Sequence, residues 1–445
     1  MNWTGLINPP VDVKRMFWRG ILALSLLLSF RTFQFFPGMP YIQEAWFAFC
    51  LVMVIVFYPF LKVRGGLQFS WFELYLLLLM VFCTSVAAWQ ARLVFGQPLL
   101  YGVLSQRDVV LLGALLVLVQ MLGNRMLETA DLESVLIFLA WSTFALFSAM
   151  RLLLSPSNFL EYGDGFVTRP MAGIEPSFKL QEFFILFGVF YYALLGIRTG
   201  RARYYLAALV LFPVTLGGSG RGMAVCVGAT LFFCLYRIRG IWKATITAIQ
   251  FLLVFAALFA FVYALLPSMT TARVRSFSDA FSTFFTGSAT QDPSVYGRIL
   301  ETLTSLPYIQ AHPLLGNGVV SHQWQGGSLT ALGAYFFASD IGVVGILFSF
   351  GALGLLLYLG QFRIAWNAVK KTPQSLQGPL FDATKAFLLY SAVYSLESGM
   401  CVWSANVTLF FVTLLYENSD RAFASNSRYE WTGDSCVLRR PALSA

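Results

Sequence analysis

Six arginines, Arg92, Arg107, Arg169, Arg221, Arg275 and Arg298, are the side chains of this chain best suited to hold a polyanion. A guanidinium offers a planar fork of donors that matches phosphate or carboxylate oxygens, and several around one cavity would clamp a diphosphate. The bland alternative is that each one snorkels to lipid headgroups or caps a carbonyl. Arg221 stands out because glycines flank it, in Gly217-Gly218-Ser219-Gly220-Arg221-Gly222. Glycine lets backbone approach a ligand closely, and a helix starting there would expose unpaired N–H groups and a positive dipole end to an anion.

Acid–base candidates are few. The chain has only two histidines, His312 and His322. Neutral imidazole is the commonest general base near pH 7. His312 precedes Pro313-Leu314-Leu315-Gly316 and could equally cap a turn; His322, in Ser321-His322-Gln323-Trp324, is the better base candidate. Glu175, in Arg169-Pro170-Met171-Ala172-Gly173-Ile174-Glu175-Pro176, is a second candidate base, against the plainer role of a solvated loop acid. Asp340 lies where the chain re-enters an apolar run, so it is expected to pair with an arginine or to cap the following helix. There is no P-loop, no DxD, no GxSxG and no HExxH. Expected chemistry therefore runs without ATP or bound metal, with no cofactor, on a donor whose leaving group is already a phosphate.

These groups must be positioned by a membrane framework. The chain has 445 residues, 58% hydrophobic and only 11% charged. Apolar runs near 20 residues recur along it, each able to cross roughly 30 Å of hydrocarbon as a helix. In lipid every backbone polar group must be paired internally, so the fold class is all-α and polytopic. About twelve spans are expected, near 17–36, 43–61, 70–90, 109–123, 134–154, 180–197, 204–218, 222–236, 244–265, 341–362, 380–398 and 401–417. A polar stretch from Gln90 to Asp108 separates the third from the fourth. The organisation is thus residues 1–265 with spans 1–9, a long loop over 266–340, spans 10–12 in 341–417, and a tail over 418–445.

Net charge is +9. Basic residues gather at helix ends rather than in one stripe, which suits the positive-inside rule and anionic headgroups and argues against nucleic acid. With both termini inside, about twenty of the 30 Lys and Arg fall on the cytoplasmic side. The long loop and the six arginines named above then face outward. Cys50, Cys83, Cys226 and Cys234 lie in apolar runs and read as small hydrophobes.

Several segments resemble the superfamily of bacterial O-antigen polymerases and O-antigen ligases, and the resemblance covers most of the chain. The Gly-Ser-Gly-Arg-Gly turn at Arg221 resembles its Gly-Ser-Arg-Gly signature with one glycine inserted. Arg298 followed by His312-Pro313-Leu314-Leu315-Gly316-Asn317-Gly318 resembles its Arg…His-Pro-Leu-Leu-Gly-x-Gly segment. Asp340-Ile341-Gly342-Val343-Val344-Gly345 resembles its Glu-x-Gly-Leu-x-Gly element, and Arg169 before Gly173 and Pro176 its Arg-x-x-Gly…Pro element.

The resemblance implies inverting glycosyl transfer at the outer leaflet of a bacterial inner membrane, with a glycan on undecaprenyl diphosphate as donor. Arg221 and Arg298 match the positions that hold and stabilise the departing diphosphate. Expected partners are that lipid-linked glycan and membrane lipids, with a chain-length regulator as a candidate. The family's ligases carry a His-Asn pair whose positions here fall near Ala331 and Leu332, which do not match. That departure favours polymerisation of repeat units into exopolysaccharide, capsule or O-antigen over ligation to a lipid A core. A polysaccharide flippase is a third reading; it would need midplane charge and discontinuous helices, and midplane charge is sparse apart from Glu73.

Overall fold

A computed structural model describes residues 13–30, 40–59, 71–113, 115–116, 118, 127–162, 178, 183–218, 221–265, 278, 282, 293–325, 327–333, 336–371 and 377–396. About 87% of the described residues are helical and none forms a strand. The expected all-α class holds. The helices are α1 (Val13–Ser29), α2 (Pro40–Val52), α3 (Trp71–Val81), α4 (Ala87–Phe95), α5 (Leu99–Ser105), α6 (Thr129–Leu153) and α7 (Phe183–Thr199). They continue with α8 (Ala202–Gly218), α9 (Arg221–Arg239), α10 (Ile241–Leu265), α11 (Pro293–Ala311), α12 (Ser328–Leu332), α13 (Gly342–Lys371) and α14 (Pro379–Tyr394).

Three stretches are long and apolar enough to cross a membrane: Glu73–Phe95, Thr129–Leu153 and Ala338–Asn367. Shorter apolar helices cover Glu44–Val56, Phe183–Thr199, Ala202–Pro213 and Ile241–Val254. The polar Gln90–Asp108 stretch is largely helical. Helix runs unbroken from the π turn Phe82–Val86 through Gln90 and Arg92 to Phe95, and Leu99–Ser105 forms a further helix. Gln90 is buried, so its amide reads as polar in sequence yet packs within the bundle. The start of the fourth expected span, near 109, is a 3-10 turn over Arg107–Leu111. The twelfth span and the tail lie outside the described residues.

α7 is the pillar of the core. Its residues are apolar all round and nearly all buried, as expected of a helix with neighbours on every side. Phe183 and Phe190 pack edge-on or tilted against Phe30, Phe387 and Tyr390, and Phe187 lies beside Tyr191. α6, α8 and α14 pack around it.

Side-chain contacts sort helix termini to two ends of the bundle. At one end the start of α1 meets the start of α6: Arg15 bonds Glu128 at 2.6 Å and Asp131 at 2.7 Å, and Arg19 bonds Asp131 at 2.6 Å. Asp131 is 1% exposed and also caps its own helix through the Glu128 N–H at 3.0 Å. The end of α7 and the start of α14 meet at the same end, where Asp382 takes Arg198 and, at 2.9 Å, Lys385. Arg239, ending α9, donates to the Ile197 carbonyl at 2.8 Å. The opposite end gathers the end of α4, the 3-10 turn at Arg107, the start of α2 and the start of α13.

α13 is not continuous. Gly351 sits at φ 63°, ψ −166°, which breaks the helix midway along the Ala338–Asn367 stretch. A break within an apolar span frees backbone groups that hydrocarbon cannot satisfy, so other protein must satisfy them. The segment after α11 does this. Ala352 N–H donates to Pro313 O at 2.8 Å and Leu353 N–H to Leu314 O at 3.1 Å. In return Asn317 and Gly318 N–H donate to Phe348 O at 2.8 Å and Ser349 O at 3.0 Å.

Candidate functional site

The His312–Gly318 segment is held by its side chains as well. His312 Nδ1 lies 2.8 Å from Asn317 Oδ1, and Asn317 Nδ2 donates to Phe348 O at 3.0 Å. Asn317 is fully buried. The imidazole therefore fixes the amide that fixes the broken helix, which is the turn-capping alternative raised for His312. Gly318, at φ +78°, leaves no room for a side chain: a Cβ would stand 2.2 Å from the Ala87 carbonyl oxygen. The backbone of this segment is thus pressed between α4 and α13.

Beyond Gly318 the chain is clipped by Gln97, a fully buried amide just past α4. Its Nε2 donates to Val319 O at 3.1 Å, and its Oε1 accepts the Ser321 N–H at 2.7 Å. A tight turn follows, with Trp324 N–H on Ser321 O at 3.1 Å and Gly327 N–H on Trp324 O at 2.7 Å. This turn puts His322 at the bundle's end, exposed, with its ring centre 5.0 Å from that of Phe337.

His322 borders a cleft of about 170 Å³ whose wall includes Gly318, Ser328, Phe337, Ser339 and Ser349. Sites for drug-sized ligands are larger, about 300–1,000 Å³. This cleft is small and its wall mostly apolar, with the imidazole and the serine hydroxyls as its polar points.

Behind the Phe337 wall stands a residue that sequence inspection missed. Glu301, on α11 three residues after Arg298, is 8% exposed, and its Oε1 accepts the Phe337 N–H at 3.1 Å. Burial pushes its carboxyl above the ordinary glutamate range. The Phe337 N–H opposes that rise, the nearby charge of Asp340 adds to it, and that of Arg298 subtracts from it. Arg298, Glu301 and Asp340 therefore share one electrostatic neighbourhood. The signal lay in the Arg-x-x-Glu spacing, which joins two side chains on one face only if the segment is helical. In the long loop expected over 266–340 that spacing carries no direction.

Asp340 lies in the 3-10 turn Ala338–Ile341, where its carboxylate accepts the Ser339 hydroxyl at 3.1 Å. α13 begins two residues later. No guanidinium among the described residues comes within ion-pair distance of Asp340, so the expected pairing with an arginine is not met by a direct contact.

The other predicted residues are dispersed. Arg107 is 3.0 Å from Glu44 and sits over the Phe47 ring at 5.5 Å. Arg92 is exposed in the last turn of α4. Arg221 is the first residue of α9, as its glycine-flanked turn predicts, and its side chain lies outside the described residues. Arg169, Glu175 and Arg275 lie outside them entirely. Of the candidates, Arg298, His322 and Asp340 are brought together with the unforeseen Glu301; His312 serves the broken helix. Ala331 and Leu332 lie on α12, half-buried, near this cluster in sequence but without a base.

No model of a known protein family matches this chain, and no curated protein matches it.

Proposed function

We propose that this chain joins repeat units carried on undecaprenyl diphosphate into a longer glycan at the outer leaflet of a bacterial inner membrane. In this proposal about twelve spans cross that membrane, both termini are cytoplasmic, and the end bearing Arg298, His322 and Asp340 faces the periplasm. The observation that carries it is the convergence of one guanidinium, two carboxylates and an imidazole beside a cleft at a single end of an apolar bundle. The motif resemblance around Arg221, Arg298 and Asp340 supplies the reaction class.

The work divides among these groups. Arg298 and Arg221 grip the diphosphate, and their contacts tighten as charge builds on it, which lowers the barrier to bond cleavage. An acceptor hydroxyl attacks the anomeric carbon from the opposite face. His322, exposed at the cleft mouth, takes the proton. Asp340 stands near enough to balance the arginine field.

Arg298→Lys tests it. Lysine keeps the charge and loses the fork, so polymer yield from a lipid-linked repeat unit should fall about a hundredfold, comparable to deleting one oxyanion donor. Single repeat units should remain on the lipid. Long chains still attached to lipid would instead identify a ligase, and unchanged polymer would remove Arg298 from the reaction.

The break at Gly351 is the discontinuous helix that the flippase reading requires. Its freed backbone groups, however, are taken up by Pro313, Leu314, Asn317 and Gly318 rather than offered to cargo. That pairing favours the transferase.

A further inference from the structure

From Thr302 to Ser339 the chain carries no Asp, Glu, Lys or Arg, although this stretch falls within the long loop assigned to water. Contacts along it follow a path down and back. Glu301 is level with Phe337, just above the start of α13. Seven residues later Tyr308 packs on Phe348, ring centres 5.9 Å apart. Pro313 to Gly318 then pair with the backbone on either side of Gly351. Val319 to Ser321 return along Gln97, and His322 is again level with Phe337. α11 thus runs beside the first half of α13, and the chain turns at Leu314.

Depth follows from α13. Gly351 lies thirteen residues past Ala338, where the apolar stretch Ala338–Asn367 begins. At about 1.5 Å per residue that is roughly 20 Å along the axis, well inside a hydrocarbon layer of about 30 Å. Whatever touches Gly351 lies at that depth. The face of α11 turned away from the bundle is apolar and open: Ile299, Leu300, Leu303 and Leu306 are all exposed, as is Leu314 at the turn, 65%. In water such a stripe would be costly, at about 25 cal/mol per Å².

We propose that residues 299–321 form a re-entrant element of the membrane domain, with Ile299, Leu300, Leu303, Leu306 and Leu314 in contact with the acyl chains of the bilayer. Depth, absence of charge beyond the inward-facing Glu301 and exposure of the stripe are independent of one another and agree. The internal backbone pairing at Pro313–Gly318 meets the condition for non-helical chain at this depth. The inference depends on α13 crossing the membrane, not on the glycan chemistry.

The test places single nitroxide labels at Leu300→Cys, Leu306→Cys, Leu314→Cys and, as an aqueous control, Gln323→Cys. The full chain, with its six native cysteines replaced, is reconstituted in phosphatidylcholine–phosphatidylglycerol vesicles. Collision with oxygen should exceed collision with a water-soluble nickel chelate at the three leucine positions, increasingly from 300 to 314, while Gln323 favours the chelate. Chelate access at 306 and 314 would overturn the proposal by placing the stripe in water. Exclusion of both probes would overturn it by showing protein, a second copy or another segment, over the face. Because the readout needs no substrate, its failure is separate from failure of the Arg298 experiment.

Discussion

The two ends of the bundle use charge differently. At the end shared by α1, α6, α7 and α14, carboxylates and cations meet at direct bonding distance across long sequence separations, as in Arg15–Asp131 and Arg198–Asp382. These pairs lock helix termini together. At the opposite end, where Arg107 also pairs with Glu44 at 3.0 Å, Arg298, Glu301 and Asp340 share one electrostatic neighbourhood, the Glu301 carboxylate accepting a backbone N–H and the Asp340 carboxylate a serine hydroxyl. Locked charge fixes a fold. Charges gathered around a buried carboxylate at the rim of a bundle are where a ligand site is expected.

The sharpest way to break this contrast is to disturb what positions the second end. Gly318→Ala combines a positive φ with a Cβ 2.2 Å from backbone. It should destabilise the protein by about 3 kcal/mol or more, seen as a large drop in the thermal midpoint in detergent. An unchanged midpoint would mean that the segment is not pressed against α4. Next in size is Asp131→Ala at the locked end, expected to cost about 1–3 kcal/mol by removing the acceptor shared by Arg15 and Arg19. Polymer made per folded molecule should stay the same; a change in product would erase the division of labour between the ends. Arg107→Ala should cost less than about 1 kcal/mol, since its pair with Glu44 is solvent-exposed on both sides. A larger loss, or a product defect, would add Arg107 to the functional group.

The smallest effect sharpens the comparison through pH. The Glu301 carboxyl titrates above its unfolded value, so the folded state holds this proton more tightly. Its contribution is fully present below the ordinary glutamate range, near pH 4.3, and fades as pH rises through the higher folded value. Glu301→Gln keeps an acceptor for the Phe337 N–H and cannot ionise. Thermal midpoints measured from pH 4 to 7 should therefore decline less in this variant than in the parent. Parallel curves would show that the carboxyl is not strained by burial.

Much of the framework was legible. α8, α9 and α10 start and stop within a few residues of the apolar runs, because basic residues and glycines punctuate them. α4 was not, because Gln90 looks solvent-facing until its neighbours are known. The glycines after His312 signalled a turn, but nothing in the chain announced that its partner would be Phe348–Leu353. Periodicity reports which face of an element is apolar; it is silent on which distant backbone will accept a hydrogen bond. Glu301 was invisible for a simpler reason. In a loop, a carboxylate three residues from an arginine has no fixed direction, and only the helix aligns them.

The interruption at Gly351 has a mechanical consequence. Both halves of α13 are stitched to Pro313–Gly318, so a tilt of either half must drag that hairpin. The hairpin is tied in turn to Gln97 and ends at His322. Motion deep in the bundle would arrive at the imidazole as a displacement, a transmission rod running from the interior to the rim.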